Sequence, residues 1–134
     1  MSEPRVLILL DGPHHTYRPG ELLSAECRIE SLSLAEPRAM EVSVLWHTEG
    51  KGEEDLAVHY FNRVSSDEGT FDLRRAYRFQ TRLPNSPLSY EGLILKIRWC
   101  VRVRLFLVRG RELVAEQAFR LGDVPAAVPA AAVS

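Results

Sequence analysis

Between Leu93 and Val108 the sequence keeps a two-residue rhythm. Its odd positions are Leu93, Leu95, Ile97, Trp99, Val101, Val103, Leu105 and Leu107, and its even positions include Lys96, Arg98, Arg102 and Arg104. Successive side chains of a β-strand point to opposite faces. One long strand therefore sends every odd side chain into a core and leaves an arginine stripe in water. A helix would scatter the same residues around its axis. A strand with one greasy face needs a second layer to cover it.

The rest of the chain offers such layers. Arg5 to Leu10 is a short apolar run ended by the turn residues Asp11, Gly12 and Pro13. Leu22 to Glu30 alternates, with Leu23, Ala25, Cys27 and Ile29 inward. Ala39 to Thr48 alternates again, with Met40, Val42, Val44 and Trp46 inward and Leu45 as the apolar exception on the outer face. Glu49 to Asp55 carries glycines and charge and reads as an exposed hairpin tip. It leads to a strand over Leu56 to Val64, where Val, Tyr and Phe favour sheet over a helical alternative. A symmetric hairpin sets Trp46 opposite Tyr60 and His47 opposite His59. Thr70 to Leu83 is strand-like, and Leu83 to Gly92, with Pro84 and Pro87, is a loop.

The last hairpin admits two registers. A three-residue loop, Val108-Arg109-Gly110, pairs Leu105 with Leu113, Val103 with Ala115, Trp99 with Phe119 and Ile97 with Leu121. A two-residue loop would set Leu107 against Glu112 and Trp99 against Arg120. The first register wins because it buries apolar against apolar, and it predicts Gly110 at positive φ. Several strands, long loops and no helical period predict an all-β, antiparallel, immunoglobulin-like sandwich spanning residues 1–123. Residues 124–134, rich in Pro and Ala, read as a disordered tail.

With 134 residues the chain can bury a core without staples, and a net charge of −1 gives no overall field toward nucleic acid or anionic membrane. No apolar run approaches a membrane span. The N-terminus, with Glu3 before a short apolar run, does not read as a secretory signal. Cys27 shares its face with Leu23 and Ala25, and Cys100 shares its face with Arg98 and Arg102. One thiol should point inward and the other outward, which opposes a disulfide and fits a reducing, cytoplasmic setting.

Two stretches carry a resemblance. The turn Tyr17-Arg18-Pro19-Gly20-Glu21 before an alternating strand resembles the early turn of arrestin-type domains. Leu83-Pro84, Pro87-Leu88-Ser89-Tyr90-Glu91-Gly92 and the strand Ile97-Arg98-Trp99-Cys100-Val101-Arg102-Val103 are similar to their proline loop and long following strand. The resemblance covers roughly residues 5–123. It implies an arrestin-like sandwich serving as a protein-binding scaffold or trafficking adaptor, with no enzyme activity and no cofactor. Full arrestins have two such domains. No phosphate-sensing lysine pair and no Pro-Pro-x-Tyr motif is found in this chain.

Candidate sites follow from residue chemistry. Arg98, Arg102 and Arg104, with Lys96, make a basic stripe that could bind phosphate, acidic peptide, nucleic-acid backbone or anionic lipid. Glu112 and Glu116 on the next strand offer it internal partners, Arg102 standing opposite Glu116, and no aromatic residues interleave to stack bases. Nucleic acid is therefore not an expected partner. His14, His15, His47 and His59 lack the spacing of a structural metal site, and no metal is expected. The acidic residues Glu49, Glu53, Glu54 and Asp55 lack the alternation of a calcium loop. No nucleophile motif is present, so no catalytic residue is assigned. Exposed strand edges remain as surfaces for a protein partner or for a homo-oligomer.

Overall fold

A computed structural model describes residues 4–30, 37–52, 54–65 and 75–122. Among these residues nine strands follow one another: β1 (Arg5–Leu10), β2 (Thr16–Tyr17), β3 (Leu22–Glu30), β4 (Pro37–Gly50), β5 (Leu56–Ser65), β6 (Tyr77–Arg82), β7 (Tyr90–Glu91), β8 (Leu95–Leu107) and β9 (Glu112–Leu121). They form two sheets. The smaller has the order β1-β3-β6 and the larger β2-β9-β8-β4-β5, with β7 pairing the start of β8. All pairings are antiparallel except β2 with β9. This is the expected all-β sandwich of arrestin-like type. The proposed tail at 124–134 and the start of the strand expected from Thr70 lie outside the described residues.

The central strand obeys its alternation. Trp99, Val101, Val103, Leu105 and Leu107 are buried against Leu23, Ala25, Cys27 and Phe79 of the smaller sheet. The Trp99 indole N–H donates to the Pro87 carbonyl oxygen at 2.8 Å, so the largest core side chain keeps its polar atom satisfied. The strand starts at Leu95 rather than at Leu93. Leu93 and Ile94 are 73% and 74% exposed. They form a turn closed by the Gly92 N–H donating to Leu95 O at 3.0 Å. The β4–β8 ladder ends at Gly50 and Leu95, so the rhythm outruns the layer that could bury it. Gly50 has φ 145°, and a Cβ there would sit 2.2 Å from the Ile94 carbonyl oxygen, so only glycine allows this approach.

The final hairpin has the apolar-on-apolar register: Leu105 faces Leu113, Val103 faces Ala115 and Trp99 faces Phe119. Its three-residue loop is Val108–Gly110, with Gly110 at φ 74°. The pairing stops short of Ile97, whose neighbour is Tyr90 of β7 rather than Leu121. Leu121 instead bonds the proline loop. Its N–H donates to Ser89 Oγ at 2.8 Å, and the Ser89 N–H donates to Leu121 O at 2.9 Å. The Gly122 N–H then donates to Tyr17 O at 2.7 Å. Tyr17 is itself buried, donating its hydroxyl hydrogen to Asp11 Oδ1 at 2.8 Å and accepting from the Gly12 N–H at 2.9 Å.

The β4–β5 hairpin departs from the symmetric expectation. Val44, not Trp46, lies opposite Tyr60, and His47 lies opposite Leu56. A register shift between Val44 and Leu45 leaves His59 as the extra residue of a β-bulge. The bulge turns His59 toward the smaller sheet, where its Nε2 lies 2.7 Å from Arg82 O. The seam between β5 and β6 is pinned further by Asn62, which donates to the Tyr77 hydroxyl at 2.6 Å. Trp46 faces Trp99 instead.

These packing facts predict contrasting costs. Leu105→Ala should lower unfolding free energy by about 2–5 kcal/mol through lost burial and a cavity. Leu93→Ala should stay within about 0.5 kcal/mol of the parent. Urea titration of both variants checks the pair of outcomes.

Candidate functional site

The outer face of the larger sheet is built by the alternate residues of β5, β4, β8 and β9. Across it, Val58, Leu45, Cys100 and Ala118 form one row, and Phe61, Ser43, Arg102 and Glu116 form the next. Arg98, Arg102 and Arg104 share this face, as their spacing requires. Each meets a carboxylate. Arg98 Nε lies 3.0 Å from Glu49 Oε2, and its Nη1 lies 3.0 Å from Glu91 Oε1. Arg102 Nε is 2.6 Å from Glu116 Oε2. Arg104 Nε is 2.7 Å from Glu112 Oε1, with Glu41 Oε1 at 3.5 Å from its Nη1. Lys96 Nζ stands 3.9 Å from Glu91.

Glu112 and Glu116 are legible as partners from the last hairpin. Glu41, Glu49 and Glu91 are not, because they arrive from β4 and β7, whose register on β8 no local signal fixes. The only hint is the outward phase of Glu41. The charges hold one another in their ionised forms. The hydrogen bond from His47, then that from Arg98, keeps the Glu49 carboxyl below its ordinary value of 4.5. Arg104 does the same for Glu112, and Glu112 in turn raises the Arg104 guanidinium. Arg104 and Arg63 both sit 5.2 Å from the centre of the Phe106 ring.

Cys100 keeps the outward phase expected from the sequence. It is nonetheless only 4% exposed. Leu45 beside it is equally covered, and Arg102 and Glu116 reach across the row, with Cys100 Sγ 3.8 Å from Glu116 Oε2. Burial pushes both thiols up to about 12, and both are free.

The four histidines are not brought together. His47 lies on the outer face, 3.2 Å from Glu49, whereas the bulge sends His59 to the β5–β6 seam, edge-on to Trp99 at 6.2 Å. His14 and His15 occupy a 3-10 turn with φ of 53° and 52°. They help line a hollow of about 270 Å³ beside Arg98 and Gln117, whose Nε2 is 3.1 Å from His15 Nδ1. Among the described residues, no group of three or more His, Cys, Asp or Glu side chains could hold a metal ion. A larger groove of about 640 Å³ lies on the smaller sheet, lined by Leu9, Ser24, Glu26, Arg78 and Gln80 among others. No helix among the described residues is long and apolar enough to cross a membrane.

Besides the turn at Leu93 and Ile94, exposed apolar side chains form a strip elsewhere. Leu56, Val58 and Phe61, each more than half exposed, line the outer side of β5, which is an edge strand. Sequence alternation misses this strip because the bulge keeps Val58 and Phe61 on one face despite their odd spacing.

No family model matches the chain, and no curated protein sequence matches it. Solved structures do resemble it. One is Spo0M, a sporulation control protein from Bacillus subtilis, with a TM-score of 0.66 and 16% identity over 92% of this chain. The chain spans about half of that protein, 51% of its length. Another is superoxide reductase (neelaredoxin) from Ignicoccus hospitalis, with a TM-score of 0.51 and 9% identity over 90% of this chain and 81% of that one. At such identities the likeness is one of fold alone.

Two outcomes follow from the site. Carboxylates held below their unfolded values stabilise fully above about pH 4.5 and lose that contribution as pH falls through their folded values. Thermal unfolding should therefore occur at lower temperature as pH drops below about 4.5. Glu26→Gln, which removes the partner of Arg78, should flatten that slope. Second, alkylation of Cys27 and Cys100 near neutral pH should track global unfolding, since burial withholds both thiolates. Mass spectrometry of partially denatured samples reads this directly.

Proposed function

We propose that the chain is a non-catalytic protein-interaction module of the scaffold or adaptor kind that arrestin-like domains serve, acting in the cytoplasm. The observation that carries this reading is the apolar strip Leu56, Val58 and Phe61 on edge strand β5. Large apolar side chains clustered on one face of an edge mark contact surfaces more often than chance exposure. Phe61 is 55% exposed, so covering the rest of it is worth about 1–1.5 kcal/mol. The bulge at His59 disfavours strand addition on β5, so a partner would meet the side chains rather than the backbone edge. Spo0M, which shares the fold, is a sporulation control protein, and this accords with a regulatory rather than a chemical role.

A second reading is capture of nucleic acid or anionic lipid by Arg98, Arg102 and Arg104. Their alignment on one face speaks for it, but a phosphate would have to displace Glu49, Glu91, Glu112 and Glu116 from their guanidinium partners. The adaptor reading is preferred for that reason.

Affinity capture from native lysate, with parent and Phe61→Lys proteins of equal thermal stability, tests the first reading. A partner retained by the parent and lost at least about tenfold in the variant, roughly 1.4 kcal/mol, is the expected result. Equal retention by both, or turnover of a metabolite by the purified chain, rejects it. Low-salt binding to duplex DNA, RNA and phosphatidylserine vesicles tests the second. The parent and the variant with Arg98, Arg102 and Arg104 changed to Gln should give equal signals, and a parent-only signal would restore that reading.

A further inference from the structure

Besides the two-residue β2, three strands end the two sheets, and they are not equally guarded. β5 carries a bulge. β6 carries the exposed polar residues Arg78, Gln80 and Arg82 at alternate positions. β1 has neither device: its sequence is RVLILL, with no proline, glycine or lysine and no register shift against β3. Such an edge is a ready template for another strand. Among the described residues no ladder joins it to β9, its neighbour across the sandwich.

The direction of its backbone groups can be derived. The Asp11 N–H donates to Ser24 O at 3.1 Å, which makes Asp11 and Ser24 a hydrogen-bonded pair. Such pairs alternate along an antiparallel ladder. Arg5, Leu7 and Leu9 therefore spend their backbone groups on β3. The Asp11 N–H does so too, while the Ser24 N–H goes to Asp11 Oδ1 at 3.1 Å. Val6, Ile8 and Leu10 turn their backbone groups to the free edge. A strand docking there must offer hydrogen-bonded residues opposite those three.

β1 itself meets that requirement. We infer that the occupant is β1 of a second copy, antiparallel, about a two-fold axis through Ile8. This inference goes beyond the adaptor reading: it concerns a different edge, on the other sheet, and a second copy of the chain. In this register Ile8 faces Ile8, Val6 faces Leu10, Leu7 faces Leu9, and Arg5 faces Asp11. Every opposed pair is apolar or of opposite charge, and each shares a face. Leu9, 46% exposed in the single chain, is covered by Leu7 of the second copy. Arg5, bonded to Glu30 at 2.9 Å, gains a second carboxylate from Asp11. Six backbone hydrogen bonds form, from both groups of Val6, Ile8 and Leu10. The register displaced by one step, with Leu7 on the axis, sets Arg5 against Leu9 and brings in Pro4, which has no N–H to donate. The two small sheets become one continuous six-stranded sheet.

The test uses the full chain. Light scattering on serial dilution should give a dimer, and Leu9→Lys, which sets a charge against Leu7 of the second copy, should give a monomer with the parent's circular dichroism. The register has its own readout. Leu7 and Leu9 form a non-hydrogen-bonded pair with Cα atoms about 4.5 Å apart, within disulfide range. The double variant L7C/L9C should oxidise to a covalent dimer, and L7C alone should not. A monomer at every concentration, a dimer indifferent to Leu9→Lys, or a covalent dimer from L7C alone overturns the proposal. Because Phe61 lies on the other sheet, partner capture that depends on Phe61 would survive that failure and leave the adaptor reading standing.

Discussion

Everything in the larger sheet is registered on the β4–β8 ladder. Its inner face runs through Met40 and Leu105, Val42 and Val103, Val44 and Val101, and Trp46 and Trp99. Those pairs meet the smaller sheet, and β5 and β9 find their places by pairing outward from them. Trp99 fixes the ladder against slippage. Its ring packs near Phe119, 5.8 Å away, while its N–H is bonded to the proline loop. A one-residue slip would put the indole among the arginines and leave its N–H without Pro87.

Parity on one face dictates chemistry on the other. Because the odd residues of β8 are committed to the core, its even residues must share the outer face with Glu41, Ser43, Leu45 and His47 of β4 and with the even residues of β9. Four cations in a row would repel one another if left alone. Carboxylates at Glu41, Glu49, Glu91, Glu112 and Glu116 intervene, drawn from three different strands. Each exposed pair contributes little, of order 0–1 kcal/mol, yet the set removes a concentration of positive charge from the surface. The long side chains also roof the Leu45–Cys100 row, which is why an outward thiol is buried.

Local rhythm makes β3, β4, β8 and the last hairpin readable, since strand phase and turn chemistry are properties of neighbouring residues. The Tyr17–Glu21 turn and the proline loop are readable for the same reason. What escapes is set by distant contacts. The bulge at His59 arises where β5 must serve β4 and the seam to Tyr77 and Arg82 together. The exposure of Leu93 reflects where β4 ends. The parallel pairing of β2 with β9 depends on a loop between Asp11 and Tyr17 that carries no strand pattern at all. Of the candidate site, the arginines are readable by number, while most of their acidic partners are not.

Ser89, Leu121 and Tyr17 meet at one corner although they are remote along the chain, and the meeting requires the end of β9. On the ribosome, β8 emerges with one flank bare. Until the last strand clears the exit tunnel, Trp99 lacks Phe119 and the proline loop lacks its tether. The smaller sheet and the β4–β5 hairpin can assemble during synthesis, but closure of the sandwich has to await nearly the whole of this domain.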